Sequence, residues 1–160
     1  MGGNMKIREL FESTTSLMYH GTNNQFDFWD LGASRVNRGT NVTGIYFTPR
    51  KEEALEYGSR IITAEVSFKK PFYGYGRANV FTPKMVEKAR ELLLKHTNYR
   101  ERWLDSAILP SLVEKGLDVI KDVNGDIKRE ILLAGGYDAY IDGGHVVILS
   151  PSRQNIKVVG

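Results

Sequence analysis

Strand patterns occupy both ends of this 160-residue chain, and helical patterns occupy its middle. That order constrains the fold more than any other feature, because a parallel βαβ sheet needs strands and helices in regular alternation. Leu17-Met18-Tyr19-His20 reads as a short strand ending at Gly21, and Gly44–Thr48 as a second. Alternation of Ile62, Ala64, Val66 and Phe68 predicts a third over Arg60–Lys69, ended by Lys70-Pro71. Thr48 before Pro49 predicts a helix start, with the helix running to Tyr57 and Gly58 as its cap. Thr82-Pro83 opens a helix with Met85, Ala89, Leu92 and Leu93 on one side. Arg100–Lys115 predicts another, interrupted at Pro110 and closed by Gly116. A turn at Val123–Asp126 precedes a helix over Ile127–Ala134. The tail predicts a hairpin, Tyr137–Asp142 and His145–Leu149 around Gly143-Gly144, and an edge strand over Asn155–Val159. The class is therefore α+β, with a helical insertion over about 78–134 inside a domain spanning 17–160.

Ahead of that domain, residues 1–16 read as a flexible lead-in and a short amphipathic helix, with Ile7, Leu10 and Phe11 on one face. Residues 21–43 are polar and Gly/Asn-rich but carry Phe26, Phe28, Trp29 and Leu31, the pattern of a packed functional loop.

Composition closes several routes. The chain has no cysteine, so thiolate catalysis, Cys-ligated zinc and Fe–S chemistry are excluded. His20, His96 and His145 lie far apart with no metal-motif spacing, so no metal is expected. No apolar run approaches the roughly 20 residues a bilayer needs. The start lacks the apolar core of a signal peptide, so the expected location is the cytoplasm. A net charge of +3, from 22 basic and 19 acidic residues, does not mark a nucleic-acid binder.

Three segments carry chemistry: Tyr19-His20-Gly21-Thr22, Gly44–Thr48 with Ala54 and Tyr57, and Gly136-Tyr137-Asp138 followed by His145–Ile148. His20 at a strand end can exchange hydrogen bonds near neutral pH. Gly21 has no Cβ and admits a ligand close to the backbone. Tyr46 and Tyr57 suit stacking on a flat ring if the fold brings them together. Taken singly, each has a packing explanation: a structural histidine, cross-strand aromatics, a turn hydroxyl at Thr22. The combination is what points to a site.

That combination resembles the ADP-ribosyltransferase superfamily in its His-Tyr-Glu branch, the branch of the poly(ADP-ribose) polymerases and diphtheria toxin. It is most similar to the small bacterial and phage members. The order YHGT (19–22), FDFWD (26–30), GIYFTPRKEEALEYG (44–58), KKPF (69–72), GYDAYID (136–142) and HVVILSPSRQNIKVV (145–159) carries it. Nothing matches over 75–130. The resemblance implies a split β-sandwich of two small sheets with flanking helices, and NAD⁺ as co-substrate. His20 would bind a ribose hydroxyl, and Gly21 the nicotinamide carboxamide through its backbone. Tyr46 and Tyr57 would sandwich the nicotinamide ring. Thr22, Phe47 and Thr48 belong to the same cofactor-binding strand ends. Arg35 and Arg38 are candidates for the pyrophosphate on charge alone.

One position departs. The branch places glutamate where this chain has His145, and imidazole cannot supply that negative charge. Asp142, three residues earlier, is the nearest carboxylate, with Asp138 four before it. Three readings stay open: Asp142 replaces the glutamate, His145 binds the ribose in a weak mono-transferase, or only binding survives. The expected function is NAD⁺-dependent mono-ADP-ribosylation of a macromolecular acceptor, a protein before a nucleic acid, with no membrane partner. The alternatives are an enzyme like the RNA 2′-phosphotransferases and a catalytically degenerate NAD-fold module. The stretch MKIRELFE weakly resembles N-terminal segments of tailed-phage proteins, which suggests a phage or toxin effector acting in a host cytoplasm.

Overall fold

The computed structural model describes residues 15–23, 39–74 and 79–159. The strand β1 (Ser16–Thr22) pairs antiparallel along its whole length with β3 (Arg60–Val66), Met18 facing Ala64 and His20 facing Ile62. β7 (Ile156–Val158) pairs with the far end of β3 and completes a three-stranded sheet, β1-β3-β7. The second sheet runs β2 (Ile45–Phe47), β6 (His145–Ile148), β5 (Ala139–Asp142) and β4 (Pro71–Tyr73). Its β4–β5 pair is parallel and its other pairs antiparallel. The expected α+β class and two-sheet architecture are thus what the chain adopts.

Side-chain alternation divides the second sheet between two cores. Ile45, Phe47, Ala139, Val146 and Ile148 pack with Met18, Ala64, Val66 and Ile156 of the first sheet. Val147 on the opposite face packs against the helices, and Tyr46 and Tyr140 lie against the same cluster. The helical cluster is built by α2 (Pro83–His96), α3 (Glu101–Trp103), α4 (Leu109–Lys115) and α5 (Gly125–Ala134). Met85, Ala89 and Leu93 of α2 are fully buried there, the 3–4 spacing of a helix that faces a core on one side. Each such large side chain contributes roughly 1.5–3 kcal/mol by leaving water.

Local chemistry sets the element ends. Thr82 Oγ1 accepts from the Met85 amide at 3.3 Å, and Pro83 opens α2 as the sequence predicts. Pro110 does not break its helix. A π-helical stretch, Leu104–Ile108, widens the turn just before it and joins α3 to α4. A proline ring crowds the carbonyl four residues back, here Ser106, and a wider turn relieves that. The Asn124 side chain accepts from the Asp126 amide at 2.7 Å, so α5 starts two residues before the predicted Ile127.

Two expectations need correction. The third strand is shorter than predicted and ends at Val66, and Pro71 begins a further strand, β4, where a missing amide costs nothing on an edge strand. Thr48 is not the N-cap of the following helix. That helix, α1, covers Lys51–Ala54 with Arg50 as its cap residue, and a 3₁₀ turn continues it over Leu55–Tyr57. Thr48 instead joins the two sheets through reciprocal backbone bonds with Tyr19, 2.8 and 2.9 Å. The lead-in and predicted helix of residues 1–14, and most of the aromatic loop with Arg35 and Arg38, lie outside the described residues.

Candidate active site

The Tyr19–Thr48 bridge brings the end of β1 to the end of β2. His20 follows Tyr19, and its ring turns toward β2. Its Nδ1 donates to the Tyr46 carbonyl at 2.7 Å, and the imidazole lies 5.8 Å from the Phe47 ring. A carbonyl can only accept, so the proton sits on Nδ1 and Nε2 is the acceptor of the neutral ring. Burial holds the His20 pKa below the ordinary histidine value, against the opposing effect of the Tyr46 carbonyl.

Gly21 has a role in packing that the sequence does not reveal. A Cβ built there would stand 1.7 Å from the Ala54 carbonyl oxygen. Gly58 is equally constrained, its Cβ position lying 2.2 Å from the Thr22 carbonyl carbon. These two glycines let α1 and its 3₁₀ extension lie directly on the end of β1. Thr22 and Thr48 are both buried within that junction.

Tyr46 points to the other face of its sheet, as alternation requires. Its hydroxyl donates to the Val42 carbonyl at 2.6 Å. Burial raises its pKa well above that of a free tyrosine, and the charges of Asp142, Tyr140 and Tyr57 add to the effect. Tyr57, on the 3₁₀ turn, is 58% exposed. The two rings meet through His145: the imidazole lies 6.3 Å from the Tyr46 ring and 5.6 Å from the Tyr57 ring, edge-on to both. The Tyr57 hydroxyl is also hydrogen-bonded to His145 Nε2 at 3.2 Å. His145 stands opposite Asp142 across the β5–β6 turn, where Gly143 takes a left-handed φ of 58°. Contacts thus link His20 to Tyr46 and Phe47, Tyr46 and Tyr57 to His145, and Asp142 to His145 across the turn, while Gly21, Thr22 and Thr48 lie at the junction of β1, β2 and α1.

Asp138 does not join them. Its two carboxylate oxygens accept from the Lys69 and Lys70 amides at 2.7 and 2.8 Å and tie β5 to the approach of β4. Sequence reasoning passed over Glu53. Its Oε2 accepts from Thr48 Oγ1 at 2.9 Å, and it sits beside the β5–β6 turn, 3.4 Å from where a Gly144 Cβ would be. The signal was present only as proximity: Glu53 lies four residues before Tyr57 in the segment read as one helix.

Two small sheets joined at the histidine-bearing strand, with helices between their strands, make up an ADP-ribosyltransferase type of fold. The chain belongs to the family described as ADP-ribosyltransferase in polyvalent proteins, whose model matches residues 14–159. Enzymes of that superfamily use NAD⁺ as co-substrate. The fold is also similar to a crystal structure of an anti-CRISPR protein, with a TM-score of 0.50 and 14% sequence identity over 92% of this chain and 96% of that one. No curated protein matches the chain. Among the described residues no helix is long and apolar enough to cross a membrane.

Proposed function

We propose that the protein is an NAD⁺-dependent mono-ADP-ribosyltransferase of the His-Tyr-Glu type, acting on a macromolecular acceptor. The observation that carries this reading is the meeting of Tyr46 and Tyr57 at His145, with the Tyr46 carbonyl holding His20. In this reading the nicotinamide ring lies against Tyr46 and Tyr57, an arrangement that stacking favours. His20 Nε2 accepts from a ribose hydroxyl, its Nδ1 proton being committed to Tyr46. The Gly21 backbone meets the carboxamide. Arg35 and Arg38 would serve the pyrophosphate. Residues 1–16 are a lead-in to a domain over 17–160.

The chemistry lies in the cofactor's own leaving group; the protein binds, orients and supplies field. His145 links the two stacking rings, while Asp142 puts a negative charge beside Tyr46. Without a glutamate at 145, the residue that activates a further ribose in chain-elongating members is absent from its usual position, so one unit is added per acceptor. An effector role in a host cytoplasm draws on the phage-like MKIRELFE and on the fold shared with an anti-CRISPR protein. A protein acceptor is the reading adopted.

The test is nicotinamide release from NAD⁺, with and without bacterial lysate, for the wild type and Tyr46→Ala. Release that needs Tyr46, with a labelled band in lysate, supports the transferase. NAD⁺ binding without release would make the chain a degenerate binding module.

A further inference from the structure

We propose that Glu53 is the catalytic carboxylate of this site, contacting the nicotinamide ribose and facing the charge that develops at its C1′. The proposal deepens the transferase reading and rests on it. The reaction needs negative charge at the ribose, and position 145 carries imidazole instead. Three carboxylates lie near the hairpin. Asp138 is fully engaged with the Lys69 and Lys70 amides. Asp142 extends from the end of β5, and its field reaches Tyr46, whose hydroxyl points away toward Val42.

Glu53 is placed differently. It stands on α1, just before the 3₁₀ segment that carries Tyr57. Both contact the β5–β6 turn: Tyr57 through His145 Nε2, Glu53 beside Gly144. Their neighbour Ala54 packs against Gly21 on the opposite side. A ring stacked on Tyr57 would therefore carry its ribose, one bond away, past Glu53. The carboxylate is also oriented. Oε2 is held by Thr48 Oγ1, which itself accepts from the Arg50 amide at 3.2 Å. Thr48 is fixed in turn by its backbone bonds to Tyr19, the residue before His20. Oε1 belongs to a side chain that is partly exposed, and among the described residues its ion-pair partner is the exposed Arg50 guanidinium, 3.9 Å away. One oxygen is anchored by Thr48, and the other is the one we assign to a ribose hydroxyl.

The step balances without another reagent. The bond between C1′ and the nicotinamide nitrogen breaks, and its electron pair leaves with neutral nicotinamide. The cation at C1′ is shared with the ribose ring oxygen and faced by Glu53. The acceptor's nucleophile, or water in its absence, then forms a bond to C1′ and gives its proton to solvent. A fixed carboxylate at a developing oxocarbenium ion is the same electrostatic device that glycoside-cleaving enzymes use.

Glu53→Gln keeps the shape and the hydrogen bond from Thr48 and removes only the charge. In the full chain, nicotinamide release should fall about 10²–10³-fold. NAD⁺ affinity by calorimetry should stay within about threefold and the melting temperature unchanged. Glu52→Gln, on the exposed neighbour, should leave release at the wild-type rate. Glu53→Ala should regain release when formate is added. Release by Glu53→Gln within about threefold of wild type overturns the assignment. So does a larger loss in Asp142→Asn, or a loss in Glu53→Ala that formate does not restore. A wild type that binds NAD⁺ without releasing nicotinamide overturns it too, since no carboxylate is then at work. A wild type that does not bind NAD⁺ overturns the transferase reading itself, and the assignment with it.

Discussion

The Nδ1 of His20 donates to the main-chain carbonyl of Tyr46 at 2.7 Å, so the histidine of one sheet is oriented by the backbone of the tyrosine on the other. Any shift of the two sheets against each other turns the imidazole. The bond also fixes which nitrogen is left to accept.

Acid should loosen the fold through His20. Its folded pKa lies below the ordinary value because burial disfavours the imidazolium. The unfolded chain therefore binds the proton first as pH falls. Stability contributed by the neutral ring is complete above the unfolded pKa of about 6.5 and declines between that value and the folded pKa. One proton limits the slope to about 1.4 kcal/mol per pH unit. Urea titrations of wild type and His20→Gln across pH 7.5 to 5 should show a steeper decline in the wild type.

Gly21→Ala should damage the fold before it damages binding. Its new methyl would meet the Ala54 carbonyl oxygen at 1.7 Å, between two backbones that cannot rotate away. Overpacking of this kind costs about 3 kcal/mol or more. Thermal melting of the variant without any ligand should show the loss; an unchanged melting temperature would mean that α1 is free to lift from β1.

Tyr46 separates into a ring and a hydroxyl. Tyr46→Phe removes the bond to the Val42 carbonyl and should cost about 1 kcal/mol of stability. It should leave nicotinamide release within about threefold, because the stacking face survives. Tyr46→Ala should abolish release. Equal loss in both variants would assign the hydroxyl, not the ring, to the chemistry.

Tyr57 makes the opposite trade. With over half its surface exposed, Tyr57→Ala should change the melting temperature little. The Michaelis constant for NAD⁺ should rise about tenfold, the order expected of one aromatic stacking contact. Steady-state kinetics beside a melting curve would read both.

Much of this was legible because strand ends announce themselves. Alternation at Ile62, Ala64 and Val66 located β3, the Gly143-Gly144 pair located the β5–β6 turn, and Thr82-Pro83 located the start of α2. The motif order picked out His20, Tyr46, Tyr57 and His145, which the side-chain contacts link. What was not legible depends on partners distant in sequence. Pro71 looked like a terminator because the strand it begins is defined by pairing with Ala139. Thr48 looked like a helix cap because its bond to Tyr19 is a tertiary contact. The demand for glycine at 21 has a second cause that only the fold reveals, because Ala54 occupies the space a Cβ would take. Glu53 carried no signal in the sequence beyond its proximity to Tyr57, because its surroundings, Thr48 and Gly144, are tertiary neighbours.

The second sheet has a temporal consequence. β6 is the strand that holds β2 to β5, and it lies far along the chain from both β1 and β2. During synthesis, His20, Tyr46 and Tyr57 leave the ribosome well before His145 exists to join them. Closure over such separations is slow. The meeting of these residues thus waits on β6, and a nascent chain that ends before it carries the earlier motifs without the capacity to use them.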